Sequence, residues 1–182
     1  MGLRILLIDD HTLFRSGLQG LLAHRNIEVV ASVGDGREGL RCAEELKPDV
    51  VLLDMRMPDI DGIGVLKKLR ESGFHKPIVM LTTSTEERDL VESLRNGAQG
   101  YLLKDMEPDE LVLALRDIVA GKTVVAPDLA PVLATAADGV LARGRRVGAV
   151  VDPRGHVGLG ALGGVLHAGP RLGRVGRHRV AH

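Results

Sequence analysis

Three observations predict an α/β fold built on a doubly wound, five-stranded parallel sheet. Short aliphatic runs alternate with amphipathic, charge-faced segments from the N-terminus to about residue 120. The runs are mainly aliphatic, as strands covered on both faces are. Several of the intervening segments end in glycine, which closes helices in the left-handed region. Strictly alternating βα units leave a parallel sheet with helices on both sides.

The elements follow in order. "LRILLI" (3–8) is the first strand, and "TLFRSGLQGLLAH" after it has helical spacing. "EVVAS" (28–32) is the second strand, followed by the helix "GREGLRCAEEL", in which Cys42 has the place of an ordinary packing residue. "DVVLL" (49–53) precedes the helix "GVLKKLRES", and "PIVMLT" (77–82) precedes "EERDLVESLRNG". "GYLL" (100–103) is the last strand, and "EPDELVLALRDIVAG" the last helix.

Composition sets the outer limits. A chain of 182 residues with 45% apolar and 26% charged residues, no Trp and one Cys suits a globular protein packed with aliphatic side chains and lacking a disulfide framework. No apolar run approaches the roughly 20 residues that cross a bilayer. Asp9 and Asp10 interrupt the N-terminus before a signal-peptide core could form, so a cytoplasmic protein with no membrane partner is expected. The net charge of zero hides an asymmetry. From residue 136 onward eight Arg stand against Asp138 and Asp152, a balance of +6, which leaves −6 on residues 1–135.

In a doubly wound sheet, ligands bind outside the carboxyl ends of the strands where strand order reverses. The strand ends here are Ile8-Asp9-Asp10, Leu53-Asp54, Leu81-Thr82-Thr83 and Leu103-Lys104. Carboxylates gathered at one edge repel one another, by about 4 kcal/mol for a pair roughly 4 Å apart at an effective dielectric near 20. Such a cluster needs a cation, and oxygen ligands suit Mg²⁺, which keeps waters and favours sites where phosphate completes its shell. Lys104 brings a point charge suited to a phosphoryl oxygen, and Thr82 a hydroxyl donor. No Ser, Cys or His nucleophile is read at these strand ends, and no Gly-rich phosphate loop follows the first strand. The nucleophile left is a carboxylate, and Asp54, at the centre of the edge, is the candidate for covalent phosphoryl acceptance.

These residues carry a resemblance. Residues 3 to about 120 resemble the receiver domain of two-component response regulators, a flavodoxin/CheY-like (βα)5 fold. "GYLLKDMEPDELVLALRDIVAG" and "DDHTLFRSGL" resemble the NarL/FixJ subfamily, nearest the nitrate/nitrite regulators. The resemblance implies that Asp54 accepts a phosphoryl group from a sensor histidine kinase. It implies that Asp10, Asp54 and the backbone carbonyl of Arg56 hold Mg²⁺, with Asp9 acting through water, and that Thr82 and Lys104 bind the phosphoryl oxygens. On phosphorylation Thr82 would move toward the phosphate and Tyr101 would swing inward. That change would remodel a face of the fourth helix, fifth strand and fifth helix, through which such domains form homodimers. Thr83 would leave the phosphate accessible, and Arg56 and Ser84 would tune its loss. Asp105 replaces the Pro that follows the lysine in many receivers. Two alternatives remain: a stand-alone receiver acting by protein contacts, and an Mg²⁺-dependent phosphohydrolase with an Asp nucleophile. Such hydrolases place two acids as "DxD" after the first strand, where "DDHT" stands here.

The expected organisation is a receiver over 1–121, a linker over 122–138 and a tail over 139–182. Full-length members of the subfamily continue into a helix-turn-helix DNA-binding module, so transcription regulation is the expected family output. No "LTxRE" or "STVKxH" sequence of that module is present. From Ala136 the chain uses only Ala, Gly, Val, Leu, Arg, Pro, His and Asp, each of which can be encoded by a codon beginning with G or C, as a shifted reading of a GC-rich gene would produce. The tail is therefore expected to be a frameshifted and poorly structured remnant. Its arginines without aromatics make a weak nucleic-acid arm, and His178 and His182 lack further ligands for zinc.

Overall fold

The computed structural model describes residues 2–133, 147–151 and 157–161. The tail expectations, including the arginine arm, the histidine pair and the frameshift, fall almost wholly outside the described residues. The elements are β1 (Leu3–Ile8), α1 (Thr12–Ala23), β2 (Ile27–Val33), α2 (Gly36–Leu46), β3 (Val50–Leu53), α3 (Gly62–Glu71), β4 (Ile78–Thr82), α4 (Glu87–Arg95), β5 (Gly100–Leu103), α5 (Pro108–Val119), β6 (Val124–Val125), β7 (Val147–Val151) and β8 (Val157–Ala161). All five predicted βα units are present. Among the described residues no helix is long and apolar enough to cross a membrane.

The sheet runs β2-β1-β3-β4-β5-β6-β8-β7, and its first six strands are parallel. The chain leaves β1 for β2 on one side and returns to β3 on the other, so strand order reverses between β1 and β3. Successive side chains of each strand enter opposite layers. Leu6, Ile8, Val51, Leu53, Met80 and Tyr101 pack with Val65, Leu66 and Leu69 of α3 and Leu90 of α4. Ile5, Leu7, Val50, Leu52, Val79 and Leu81 pack with Leu18 and Leu22 of α1 and Leu111, Leu115 and Ile118 of α5. Burial of both strand faces explains the uninterrupted aliphatic runs, each large side chain contributing about 1.5–3 kcal/mol. Cys42 is buried in the first layer, as a packing residue should be.

The sheet exceeds the five strands expected. Val124 and Val125 extend it beside β5, with Gly100↔Val124 and Tyr101↔Val125 in register, within the stretch expected to open the linker. Leu129 and Leu133 continue into the core. Two residues show no periodicity, so this strand had no signal of its own in the sequence. Beyond it β8 pairs antiparallel with β6, and β7 with β8.

Candidate functional site

The hydrogen-bond ladders bring the strand ends to one edge. Ile8 and Leu53 are in register, and the Asp54 N–H donates to the Ile8 carbonyl at 2.9 Å. Thr82 and Leu103 are in register, and the Lys104 N–H donates to the Thr82 carbonyl at 2.9 Å. The loop after β3 turns sharply into α3, whose N-terminus is capped by Asp61 through the Gly64 N–H at 2.8 Å. Gly62 makes that turn feasible, since a Cβ there would lie 2.2 Å from the Asp54 carbonyl oxygen.

Asp9 and Asp54 are almost wholly buried, at 1% and 3% exposure. The Lys104 ammonium lies 2.7 Å from Asp9 Oδ2 and 3.4 Å from Asp54 Oδ2, and 4.6 Å from the centroid of the Phe14 ring. Asp10, more exposed, completes a trio of acids. One ligand atom from each of Asp9, Asp10, His11 and Asp54 lies within 4.8 Å of the others. The expected convergence of Asp9, Asp10, Asp54 and Lys104 is therefore observed.

The charges in this crevice do not balance. Burial pushes the Asp54 carboxyl above its ordinary value, and the nearby Asp9 charge adds to the rise; the Lys104 ammonium and the Arg56 backbone oppose it. Asp54 Oδ2 is buried without a hydrogen-bond partner, because the ammonium at 3.4 Å attracts it without making an aligned hydrogen bond. An orphaned carboxylate oxygen is costly unless a cation or donor completes it. An oxygen-rich set of carboxylates with open access through Asp10 fits a hard divalent ion such as Mg²⁺.

Thr82 is buried, and its hydroxyl oxygen accepts the Ser84 N–H at 3.1 Å. Thr83 is exposed at the rim. Tyr101 is fully buried, its hydroxyl donates to the Ser84 carbonyl at 3.1 Å, and burial pushes its pKa up to about 12. The tyrosine expected to swing inward thus already occupies the interior. Arg56 and Ser84 share one partner: the guanidinium donates to Asp89 Oδ2 at 2.7 Å, and the Ser84 hydroxyl to the same oxygen at 2.5 Å.

The sequence reading missed two residues that the structure brings to the site. Asp89 reads as an ordinary acid in the first turn of α4, favourable to the helix dipole. His11 was given no part in the site by the sequence reading, yet its Nδ1 lies 3.5 Å from Asp54 Oδ2. The adjacency "DDH" was its signal, but the turn into α1 that folds the ring back over the acids is not legible from spacing.

Comparison with known proteins agrees with this geometry. A family model for the response regulator receiver domain matches residues 5–116. The nitrate/nitrite response regulator protein NarL of Escherichia coli K12 is 46% identical over 131 residues, covering 71% of this chain and 61% of that protein. The transcriptional regulatory protein LnrK of Bacillus subtilis is 38% identical over 128 residues, 70% of this chain and 58% of its own length. The chain thus spans about 60% of the length of these curated relatives. A LuxR-family two-component response regulator from Aurantimonas superposes with a TM-score of 0.69 at 32% identity, over 75% of this chain and 98% of that one. The chemotaxis response regulator CheY4 of Vibrio cholerae gives 0.60 at 31% identity, over 65% and 99%. Fold, strand-edge acids and relatives agree, and the chain belongs to the response regulator receiver domain family, related to the NarL/LuxR-type two-component regulators.

Proposed function

We propose that Asp54 accepts a phosphoryl group from the phosphohistidine of a sensor kinase. The observation that carries this reading is the unpartnered, buried Asp54 Oδ2 beside Asp9, Asp10 and Lys104. In the transfer, an Asp54 carboxylate oxygen attacks phosphorus, the P–N bond breaks, and the imidazole nitrogen keeps the electron pair and takes a proton. Asp10, Asp54 and the Arg56 carbonyl are the proposed Mg²⁺ ligands, with Asp9 acting through water. Bound there, the ion supplies charge neutralisation for the acids and the phosphoryl oxygens. Lys104 supplies a second positive charge, and the Thr82 hydroxyl a hydrogen bond.

The new dianion draws the Thr82 hydroxyl away from the Ser84 N–H, and the rearranged loop after β4 changes the bond between Tyr101 and Ser84. The proposed output is a changed α4–β5–α5 face, available to a second copy of the chain or to another protein. Thr83 leaves the phosphoryl group open to water, while Arg56 and Ser84, joined through Asp89, set its lifetime. We place the chain in the cytoplasm, with a kinase as its partner. Transcription control is the family's output.

Incubation with acetyl phosphate and Mg²⁺, followed by intact mass, tests the reading. A single phosphoryl adduct lost in Asp54→Ala supports it. Rapid multiple turnover of generic phosphate esters would instead favour a hydrolase and sink the switch.

A further inference from the structure

His11 stands where α1 begins, as the residue preceding its first turn, and its side chain makes no cap hydrogen bond to the helix. Its backbone N–H donates to Asp9 Oδ1 at 2.8 Å, which fixes the Cα and leaves the ring to take up a position over the acids. Nδ1 lies 2.9 Å from Asp9 Oδ1, 3.3 Å from Asp10 Oδ1 and 3.5 Å from Asp54 Oδ2, one oxygen from each carboxylate. It is also 3.2 Å from Lys104 Nζ. The other side of the ring faces solvent, the side chain being 61% exposed.

These spacings have a chemical meaning. In an octahedral shell with ligands about 2.1 Å from the ion, adjacent ligand atoms stand about 3.0 Å apart. Nδ1 therefore sits close to neighbouring-ligand distance from Asp10 Oδ1, at 3.3 Å, and 3.5 Å from the orphaned Asp54 Oδ2, the two carboxylates proposed to hold the ion. The ring turns its Nδ1 edge into the crevice, where the Lys104 ammonium also lies 3.2 Å away.

We propose that His11 is a direct ligand of the divalent ion through Nδ1, and that it makes this site favour Mn²⁺ and later first-row ions over Mg²⁺. Imidazole nitrogen suits those ions better than it suits Mg²⁺, whose shell is carboxylate, carbonyl and water. Replacing a water by an imidazole thus shifts the preference along the divalent series without disturbing the acids that hold any hard cation. The inference rests on the reading of Asp9, Asp10 and Asp54 as a divalent site, and goes beyond it by adding a nitrogen ligand and a preference among metals.

The test uses the full chain with Mn²⁺ bound, examined by electron spin echo envelope modulation. The wild type should show coupling from a directly bound imidazole ¹⁴N that disappears in His11→Ala. Titration with Mn²⁺ and Mg²⁺ should show Mn²⁺ affinity falling about tenfold in the variant while Mg²⁺ affinity changes less than about twofold. Because the imidazole is exposed and does not cap α1, the variant should unfold at the same urea concentration as the wild type when no divalent ion is present. Mn²⁺ bound with no nitrogen coupling would overturn the His11 assignment and leave the divalent site standing. No Mn²⁺ bound to the wild type would overturn both. Tighter binding of both ions by His11→Ala would also overturn it, showing that the ring blocks the ion's place.

Discussion

Replacing Lys104 with Met keeps the length of the side chain and removes its charge from a crevice holding two buried acids. The ammonium lies 2.7 Å from Asp9 Oδ2 and 3.4 Å from Asp54 Oδ2. At an effective dielectric near 20 those distances correspond to gross attractions of about 6 and about 5 kcal/mol. Much of this is offset by the cost of desolvating the lysine, whose side chain is only 10% exposed. Breaking a buried pair while leaving the partner charge in place typically costs about 3–5 kcal/mol, the range expected for Lys104→Met without divalent ions. Mg²⁺ should then restore more stability to the variant than to the wild type, because the acids have lost their internal cation and bind the ion more tightly. Urea unfolding at neutral pH, with and without Mg²⁺, measures both effects. Equal stability of the two proteins in EDTA, or a smaller Mg²⁺ gain in the variant, would refute the claim that Lys104 balances the acids.

Three other outcomes follow from the same geometry. Burial and the Asp9 charge raise the Asp54 carboxyl, so its favourable contribution is complete below the ordinary value of 3.8 and is lost as pH rises through the raised one. Ionised Asp54 thus works against the metal-free fold at neutral pH; Asp54→Asn should raise the urea midpoint at pH 7, with the gain shrinking as pH falls toward 4. Gly62→Ala would bring a Cβ within 2.2 Å of the Asp54 carbonyl oxygen and 2.8 Å of Met55 Cα. It should cost about 1–3 kcal/mol in thermal unfolding and slow acetyl phosphate labelling by displacing Asp54; an unchanged labelling rate would contradict the close approach. Asp89→Ala removes the acceptor shared by Arg56 and Ser84. Because the Arg56 side chain is 64% exposed, its part is screened, so the loss should be about 1–2 kcal/mol by urea unfolding, and the adduct lifetime should change while labelling at Asp54 persists.

Much of this architecture is written locally. The run Val50–Leu53 must be a strand buried on both faces, and an acid directly after it must reach the sheet edge, so Asp54 was legible as soon as the βα alternation was. The same logic located Asp9, Asp10, Thr82 and Lys104, because each stands at the end of an aliphatic strand or just after it. What escaped depends on contacts between loops. Val124 and Val125 are too few to show a period, yet β5 offers them a free edge. Asp89 is 33 residues from Arg56, and only the packing of α4 beside the loop after β3 unites them. His11 lies next to two predicted ligands, but its place over the crevice depends on the turn into α1. Gly62 is an unremarked helix-start glycine until the Asp54 carbonyl is seen against it.

The acids at positions 9, 10 and 54 are proposed to form one divalent-dependent phosphoryl acceptor. Borohydride reduction of acetyl phosphate-treated protein, followed by peptide mass spectrometry, tests it most directly, since an aspartyl phosphate is converted to homoserine at the residue that carried it. Homoserine is expected at position 54 in the presence of Mg²⁺ and none after chelation. Homoserine at position 9 or 10 instead, or equal labelling of Asp54 in EDTA, would contradict it.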